Sequence, residues 1–331
     1  MPGGHRRTRV PAGDPALGRL GHRAPRCQTA GERRRAAPDP SPTPLRLAFL
    51  GTPTAAATVL DGLLSSGQDV AVAVTRPDRR RGRRGAPEPS PVKRVAEAAG
   101  LPVTDRPDAV LSAGVELGVV VAYGRILRPP LLGTVPLVNV HFSLLPRWRG
   151  AAPVERAILA GDDRTGVCLM EVEAGLDTGP VYRRRETPIG ADETAAALTD
   201  RLAALGRDLL LTALDEGLGD PVAQAGEATY ARKIEPEERH LDWTQTAIVL
   251  HRVVRIGHAW TTLDRRRLLV LEAAVEPAEP PRPPGTLDGV RVSTGDGTLR
   301  LVTVQPEGRP PMAADAWRRG LRVGDRPRLG R

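Results

Sequence analysis

Two polar side chains that suit acyl-group transfer stand two residues apart within an apolar run. Asn139 and His141 fall in residues 137–142, which the apolar pattern predicts to be a strand. Residues two apart in a strand face the same side, and open α/β sheets bind ligands beyond the carboxyl ends of their strands. An amide beside an imidazole can hold a carbonyl oxygen while negative charge builds on it. Taken alone, such a pair is more often two polar residues bonded to neighbouring loops.

A second polar cluster lies at residues 175–179, where glycines flank Asp177 and Thr178. Glycines let the backbone approach a ligand closely. A carboxylate at Asp177 could pair with His141 and fix its tautomer or raise its basicity. An ordinary turn is the alternative, since Asp, Thr and Gly all favour turns.

Other catalytic motifs are missing from the sequence. The tripeptide Gly51-Thr52-Pro53 follows the first apolar run, but no G-x-G-x-x-G accompanies it, which disfavours an NAD-dependent dehydrogenase. There is no P-loop, H-E-x-x-H or paired C-x-x-C, so we expect neither a metal nor phosphoryl transfer. Without a Ser or Cys nucleophile motif, direct attack by a substrate amine is the natural mechanism.

The elements that must position these residues alternate between strands and helices. Apolar runs predict strands at 45–50, 69–75, 117–123, 137–142 and 166–172. Helical patterns fall at 55–64, 91–99, 153–160 and 193–214. Thr54 is a candidate N-cap of the first helix. The alternation predicts an α/β fold with a doubly wound, Rossmann-like parallel sheet.

The pattern changes after about residue 220. A helix at 244–254 precedes short strands at 268–275, 285–287, 289–293 and 298–304, and a short helix at 313–319 follows. Turn signals such as Asp288-Gly289 separate the strands. Several short strands with such turns predict a small β-barrel of the oligonucleotide-binding (OB-like) type.

Residues 1–43 form an N-terminal extension that is rich in Pro, Gly and Arg, and this composition predicts that it is disordered. It has no apolar region of a secretory signal. Three interpretations of this extension are open: a transit peptide, an RNA-binding tail, or a start codon placed too far upstream. The abrupt start of the apolar pattern at Leu45 favours the last of these. We expect a first domain at 44–220, a linker at 221–235 and a C-terminal domain at 236–331.

The net charge of +9 is concentrated in three Arg-rich stretches. Residues 1–43 contain nine Arg, 76–85 six and 318–331 six. Such stretches suit a polyanionic partner. Because Lys93 and Lys233 are the only lysines, a compositional preference for Arg explains the stretches equally well.

The two cysteines, Cys27 and Cys168, do not suggest a disulfide or a metal site. We therefore expect a reducing, cytoplasmic location. The longest apolar runs are strand-sized and far below the ~20 residues of a membrane-spanning helix, so no membrane association is expected.

At these residues the sequence resembles the methionyl-tRNA formyltransferase family. Residues 139–153 (NVHFSLLPRWRGAAP) and 161–179 (GDDRTGVCLMEVEAGLDTG) are similar to the family's signatures. Shorter similarities lie at 51–53, at 76–93 ending in PSPVK, at 119–124 (VVVAYG), at 229–233 (TYARK) and at 241–243. The resemblance covers about residues 45–331 and is densest within 115–180.

The resemblance implies a formyltransferase-type fold and a role for each matching residue. Asn139, His141 and Asp177 match the family's catalytic trio. The family's folate-contacting segment corresponds to Ser143, Leu144, Leu145 and Pro146. A loop that reaches the tRNA acceptor end corresponds to Arg79, Arg80, Arg81, Arg83 and Arg84, of which Arg83 resembles a functionally important arginine. The C-terminal domain resembles one that lies along the tRNA.

The implied reaction moves a formyl group from 10-formyltetrahydrofolate to the uncharged α-amine of methionyl initiator tRNA. Asn139 and protonated His141 would hold the oxyanion. Asp177 would support the imidazolium and help to move the amine proton to the leaving nitrogen. A monomer acting in translation initiation, with tRNA and folate as its partners, is expected.

Two residues depart from the family pattern. Ala55 stands where an aromatic residue is usual, and Phe142 where a small residue is common. The first is expected to loosen the pocket near the methionine or the tRNA end, and the second to tighten the folate entrance. Residues 256–263 also lack the family's Pro-containing turn.

Three other functions remain open from the sequence. A related formyltransferase or hydrolase acting on a nucleotide sugar or purine precursor would share the trio but would not need the Arg-rich loop. A non-catalytic RNA-binding protein is disfavoured by the intact trio, and a dehydrogenase by the missing glycine fingerprint.

Overall fold

A seven-stranded sheet organises the larger part of the chain. The computed structural model describes residues 45–80, 85–277, 282–321 and 327–330. The extension predicted at 1–43 and the candidate residues Arg81, Arg83 and Arg84 lie outside the described residues.

The elements of this part are numbered in chain order. The strands are β1 (Leu47–Gly51), β2 (Val70–Val74), β3 (Arg79–Arg80), β4 (Pro87–Glu88), β5 (Val103–Thr104), β6 (Leu117–Val121), β7 (Leu137–His141), β8 (Arg149–Gly150), β9 (Arg164–Glu171), β10 (Val181–Pro188) and β11 (Tyr230–Ala231). The helices are α1 (Thr54–Ser65), α2 (Pro91–Ala98), α3 (Ala109–Ser112), α4 (Leu131–Thr134), α5 (Pro153–Ala160) and α6 (Ala195–Glu216).

The sheet has the strand order β10-β9-β7-β6-β1-β2-β5. The five strands from β7 to β5 are parallel, which confirms the doubly wound α/β prediction. The chain moves outward from β1 to β5 and then returns to β6 on the other side of β1, so the strand order reverses between β1 and β6. The sheet is mixed at one edge, because β9 runs antiparallel to both of its neighbours, β7 and β10, so that only β9 opposes the direction of the other strands.

Both faces of the central strands are buried. In β1, Leu47 and Phe49 face the cluster that contains α1 and α6, whereas Ala48 and Leu50 face the cluster that contains α3 and α4. This alternation follows from the two-residue period of a strand. The continuous apolar runs of β1 and β6 therefore reflect a sheet covered on both sides.

Close packing of α6 fixes the face that β7 presents. Gly206 is buried in α6, and a Cβ at this position would lie 2.6 Å from Cγ1 of Val140. Val140 and Phe142 belong to this helix-side core, so by alternation Asn139 and His141 face away from α6. Phe142 therefore packs into the core beneath α6, on the face opposite His141.

The starts of α1 and α2 differ in how they are capped. α2 begins at Pro91 as the sequence predicts, and the Ser90 hydroxyl accepts a hydrogen bond from the Lys93 backbone N–H at 3.0 Å. The prediction of Thr54 as the N-cap of α1 is wrong. Thr54 is the first helical residue, Pro53 occupies the cap position, and no side chain caps this helix.

A second, antiparallel sheet follows the linker. Its elements are α7 (Ala247–Arg255), β12 (Ala259–Leu263), β13 (Arg266–Glu276), β14 (Leu287–Asp288), β15 (Arg291–Ser293), β16 (Thr298–Pro306), β17 (Met312–Ala313) and α8 (Ala314–Gly320). The strand order is β12-β13-β16-β15-β14, with β17 on β16. The Leu329 N–H donates to Gly285 O at 2.9 Å and the Gly330 N–H to Thr262 O at 2.9 Å, so residues 327–330 bridge the two ends. This bridge gives the barrel-like closure that the sequence predicts.

Polar contacts join helices and loops around the first sheet to the chain segments that precede the second sheet. Arg156 of α5 forms two hydrogen bonds with the Glu238 carboxylate, at 2.6 and 3.0 Å. The Arg255 guanidinium of α7 donates to the carbonyls of Gly190 and Glu193. Hydrogen bonding to Arg156 lowers the pKa of Glu238 from 4.5 to about 2, because it stabilises the carboxylate.

The structure also describes the environment of Cys168 and the apolar character of the helices. Cys168 is a buried free thiol in β9, and burial raises its pKa; Cys27 lies outside the described residues. In the described part of the chain, no helix combines the length and apolar character that crossing a bilayer requires.

Gly206→Leu should destabilise the protein by about 1–3 kcal/mol, because the side chain has no space against Val140. Urea unfolding followed by circular dichroism measures the change. Ala196→Leu, on the exposed face of the same helix, is the control and should alter the free energy of unfolding by less than about 0.5 kcal/mol. Equal effects of the two variants would contradict the close-packing argument.

Glu238→Gln should lower the free energy of unfolding at pH 7 by about 1.5–3 kcal/mol, because it removes a charged hydrogen-bonding partner of Arg156. The folded-state pKa of Glu238 is depressed, so its stabilisation is present above its ordinary pKa of 4.5 and is lost as the pH falls toward about 2. Urea titrations of both proteins at pH 7, 5 and 3 should therefore show a difference that shrinks with acidification.

The neighbouring exposed residue Glu237 provides the control. Glu237→Gln should change stability little at any of these pH values. A wild-type advantage over Glu238→Gln that stays constant from pH 7 to pH 3 would contradict the assignment.

Candidate active site

Asn139 and His141 lie at the carboxyl end of β7, where the sequence places them. β7 is a central strand between β6 and β9, and His141 is opposite Cys168 in the register with β9. His141 is 5% exposed, whereas Asn139 is half-buried. Within the described residues, the Asn139 side chain makes no hydrogen bond, so its amide remains available to a ligand.

The His141 ring is oriented by a backbone carbonyl. Nε2 lies 3.0 Å from Trp148 O. Because a carbonyl oxygen only accepts hydrogen bonds, this contact assigns a proton to Nε2 and leaves Nδ1 as the nitrogen that can gain or lose one.

Asp177 faces the free nitrogen of that ring. Its Oδ2 lies 3.7 Å from His141 Nδ1, longer than the ~3.2 Å limit of a good hydrogen bond. The same oxygen accepts the Gly150 N–H at 2.8 Å. A proton on Nδ1 therefore lies beside a fixed carboxylate, and a water or a substrate atom can bridge the gap.

The backbone of residues 146–152 supplies both of these contacts. Trp148 has φ of +64° and Gly150 has φ of +122°, values in the region that favours glycine. A Cβ at Gly150 would lie 2.8 Å from Ala231 O. Glycine is therefore required there both by the backbone conformation and by the approach of the linker.

The linker holds this loop as a parallel strand. β11 pairs with β8 through Tyr230–Arg149 and Ala231–Gly150. The Thr229 hydroxyl oxygen accepts the Trp148 N–H at 2.9 Å. The TYARK similarity thus falls on the segment that fixes the loop beside His141.

Asp162 anchors the other side of the loop. Its carboxylate accepts two hydrogen bonds from the Arg147 guanidinium, at 2.9 and 2.5 Å, and one from Trp148 Nε1 at 2.7 Å. The hydrogen bond to Asp162 raises the pKa of Arg147. The Arg147 guanidinium also lies over the Trp148 ring, 4.6 Å from its centroid.

The predicted folate segment divides into buried and accessible side chains. Ser143 is fully buried, and its hydroxyl donates to Arg147 O at 2.6 Å. Leu145 is 2% exposed and packs with Cys168, Met170 and Val181. Leu144 and Pro146 are half-buried. Of these four side chains, those of Leu144 and Pro146 are the more accessible to a ligand, and for the whole segment the folate role remains a prediction.

The Arg-rich loop begins as a short hairpin. Arg79 and Arg80 are exposed in β3, which pairs with β4. At the base of the hairpin, Lys93 Nζ lies 2.7 Å from Asp78 Oδ2, and this hydrogen bond raises the pKa of Lys93. The structure thus ties the loop to α2, while its outer residues, including Arg83, fall outside the described part.

One side chain near Asp177 is absent from the sequence predictions. Gln224 donates from Nε2 to the carbonyls of Asp177 and Gly179, at 2.9 and 2.7 Å. Its Oε1 accepts two hydrogen bonds from Arg149. No local pattern marks this glutamine, because it lies in a polar linker without periodicity.

In the described part of the chain, no group of three or more His, Cys, Asp or Glu side chains could hold a metal ion. The arrangement offers an amide, an imidazole and a carboxylate. It can stabilise charge on a carbonyl oxygen and move a proton from an attacking amine.

Comparison with known families matches nearly the whole described chain. The Formyl transferase model matches residues 45–214, and the model of the Formyl transferase C-terminal domain matches residues 233–322. A methionyl-tRNA formyltransferase of Symbiobacterium thermophilum is 43% identical over 309 residues, covering 85% of this chain and 95% of that protein.

Solved structures share the fold. HypX from Aquifex aeolicus in complex with tetrahydrofolic acid superposes with a TM-score of 0.61 at 18% identity, covering 83% of this chain and 47% of that one. The methionyl-tRNA formyltransferase from Clostridium thermocellum superposes with a TM-score of 0.53 at 16% identity, covering 70% of this chain and 94% of that one. These likenesses show the fold, and the sequence matches show that the chain belongs to the formyl transferase family and, within it, to the methionyl-tRNA formyltransferases.

Proposed function

We propose that this protein transfers the formyl group of 10-formyltetrahydrofolate to the α-amine of methionyl initiator tRNA through Asn139, His141 and Asp177. The observation that carries the proposal is the position of the His141 ring, between Trp148 O and Asp177, on the strand that also presents Asn139. Family membership supplies the reaction class.

The chemistry follows from the donors available at this strand end. Attack of the amine on the formyl carbon places negative charge on the formyl oxygen. The Asn139 amide can donate a hydrogen bond to that oxygen, and so can Nδ1–H of a protonated His141. Donors fixed by the fold stabilise this charge without reorganising during the reaction.

The proton of the attacking amine must also reach the leaving nitrogen of the folate. His141 can gain or release a proton only at Nδ1, because Nε2–H is engaged by Trp148 O. Asp177 lies on that side of the ring and supports the imidazolium. Nδ1–H can therefore give its proton to the leaving nitrogen and then regain one from the attacking amine, directly or through a bridging water.

The tRNA would contact parts of the chain outside the trio. We assign the formyl-transfer reaction to a catalytic domain at 44–220, with a linker at 221–235 and a C-terminal tRNA-binding domain at 236–331 after the extension at 1–43. The Arg-rich loop would contact the phosphates at the acceptor end of the tRNA. We further propose a monomer that acts in the cytoplasm.

Asp177→Asn should lower kcat for formylation of methionyl initiator tRNA by about 10²–10⁴-fold, because it removes the charge beside Nδ1 of His141 while keeping the shape of the side chain. Asn139→Ala should cost about 10²–10³-fold through loss of an oxyanion donor, and His141→Ala should be impaired at least as strongly. Formylation assays on the purified protein with the formyl folate measure these losses.

Asp215→Ala, an exposed carboxylate near the end of α6, controls for unspecific effects and should retain wild-type turnover. Circular dichroism should show that all variants fold. Near wild-type turnover in the three trio variants would rule out the assignment. A wild-type protein that formylates a nucleotide amino sugar or a purine precursor in place of the tRNA would redirect the proposal to a small-molecule acceptor.

Arg83→Ala should raise KM for tRNA and reduce the slope of log affinity against log salt by about 1, because one phosphate contact is lost with its released counterion. Affinity measurements over a range of salt concentrations give the slope. Arg46→Ala is the control, since Arg46 precedes β1 at the opposite end from the site and lies near Asp69. An unchanged slope for Arg83→Ala would identify the loop as an ordinary solvated basic turn.

A further inference from the structure

Gln224 lies at a junction between the linker and the loop that carries Asp177. It is half-buried, and all the hydrogen-bonding capacity of its amide is used. Nε2 donates to Asp177 O at 2.9 Å and to Gly179 O at 2.7 Å. Oε1 accepts from Arg149 Nε at 3.0 Å and from the terminal Nη2 at 2.7 Å.

Glutamine is the side chain that fits this set of partners. The two carbonyls only accept and the guanidinium only donates, so the bridging group must donate at one end and accept at the other. Glutamate cannot donate to the carbonyls, and lysine cannot accept from Arg149. These partners also assign the orientation of the amide, because the flipped form would turn its NH₂ toward the guanidinium.

The loop of Asp177 depends on such anchors. Residues 173–176 are exposed, and Asp177 itself has φ of +49°, a left-handed value that is unfavourable for a non-glycine residue. A strained residue in an exposed loop keeps its conformation only when its surroundings determine it. Gly150 holds the side chain of Asp177 through its N–H at 2.8 Å, and Gln224 holds the backbone carbonyl.

Both anchors come from the paired segments β8 and 222–231. Arg149 and Gly150 are adjacent in β8, so the partner of Gln224 and the partner of the Asp177 carboxylate move together. Val222 pairs with Val181 through two backbone hydrogen bonds, at 2.8 and 2.9 Å, just beyond the loop. The linker therefore contacts the loop of Asp177 through Gln224 and the start of β10 through Val222.

We infer that Gln224 is a positioning residue for catalysis: it fixes the carbonyl of Asp177 and so holds the Asp177 carboxylate at its distance from Nδ1 of His141. This inference rests on the proposed function, because it assumes that Asp177 serves formyl transfer. It assigns the linker a part in the active site in addition to connecting the two sheets.

Gln224→Ala should lower kcat about 10–100-fold, because small misplacements of a catalytic group are costly, while KM for tRNA changes less than about twofold. Gln224→Glu keeps the acceptor for Arg149 but has no donor for the carbonyls of Asp177 and Gly179. It should lower kcat as much as Gln224→Ala while retaining or increasing thermal stability. A low kcat in a variant of unchanged thermal stability would separate the effect of Gln224 on catalysis from its effect on folding.

The decisive measurement combines Gln224→Ala with Asp177→Asn. If Gln224 acts through Asp177, its removal should cost less than about twofold in the Asp177→Asn background, although it is costly in wild type. Losses that multiply in the double variant, or single variants of Gln224 with wild-type kcat, would overturn the inference.

Gln68→Ala is the matched control, since Gln68 is a half-buried glutamine before β2, at the end of the sheet away from the site. It should leave kcat unchanged. An active wild type with a sensitive Asp177 and an insensitive Gln224 would leave the proposed function intact and remove this inference alone. A wild type that formylates no methionyl-tRNA would remove both.

Discussion

The relation between His141 and Asp177 depends on the backbone of residues 148–150. Trp148 O engages one nitrogen of the His141 ring, and the Gly150 N–H engages the Asp177 carboxylate that faces the other nitrogen. The two side chains come from different segments of the chain. Their separation of 3.7 Å is therefore set by a shared frame rather than by a direct hydrogen bond. A rigid frame of this kind matters because a displacement of ~1 Å can change the rate strongly.

That frame is incomplete without a segment located about 80 residues further along the chain. β11 pairs with β8, and Ala231 O accepts the backbone N–H groups of Ala151 and Ala152 at 2.8 and 3.1 Å. The positive φ of Gly150 and the absence of space for a Cβ allow this approach. Without the linker, the backbone N–H groups of Ala151 and Ala152 would lose this shared partner. The linker is thus a structural part of the site.

The sequence predicts residues that are carried by regular elements better than those that depend on loops. Asn139 and His141 are predictable because a buried strand fixes their common face, and the same alternation places Phe142 on the opposite face, which a comparison of family positions alone overlooks. β10 is not predicted as a strand because three consecutive arginines hide its pattern, and as an edge strand it needs little apolar surface. The α1 cap differs because Pro53 takes the position next to the predicted Thr54.

Gln224 marks the limit of what local patterns reveal. Its importance comes from four hydrogen bonds to groups that are distant in sequence, namely Arg149 and the carbonyls of Asp177 and Gly179. No propensity or periodicity encodes those partners, because they meet only after the linker has returned to β8. Further along, Arg156 fixes Glu238 just before the second sheet begins. The chain between the two sheets is therefore held at successive points, and Gln224 among them holds the loop of Asp177, the carboxylate that we propose for the chemistry.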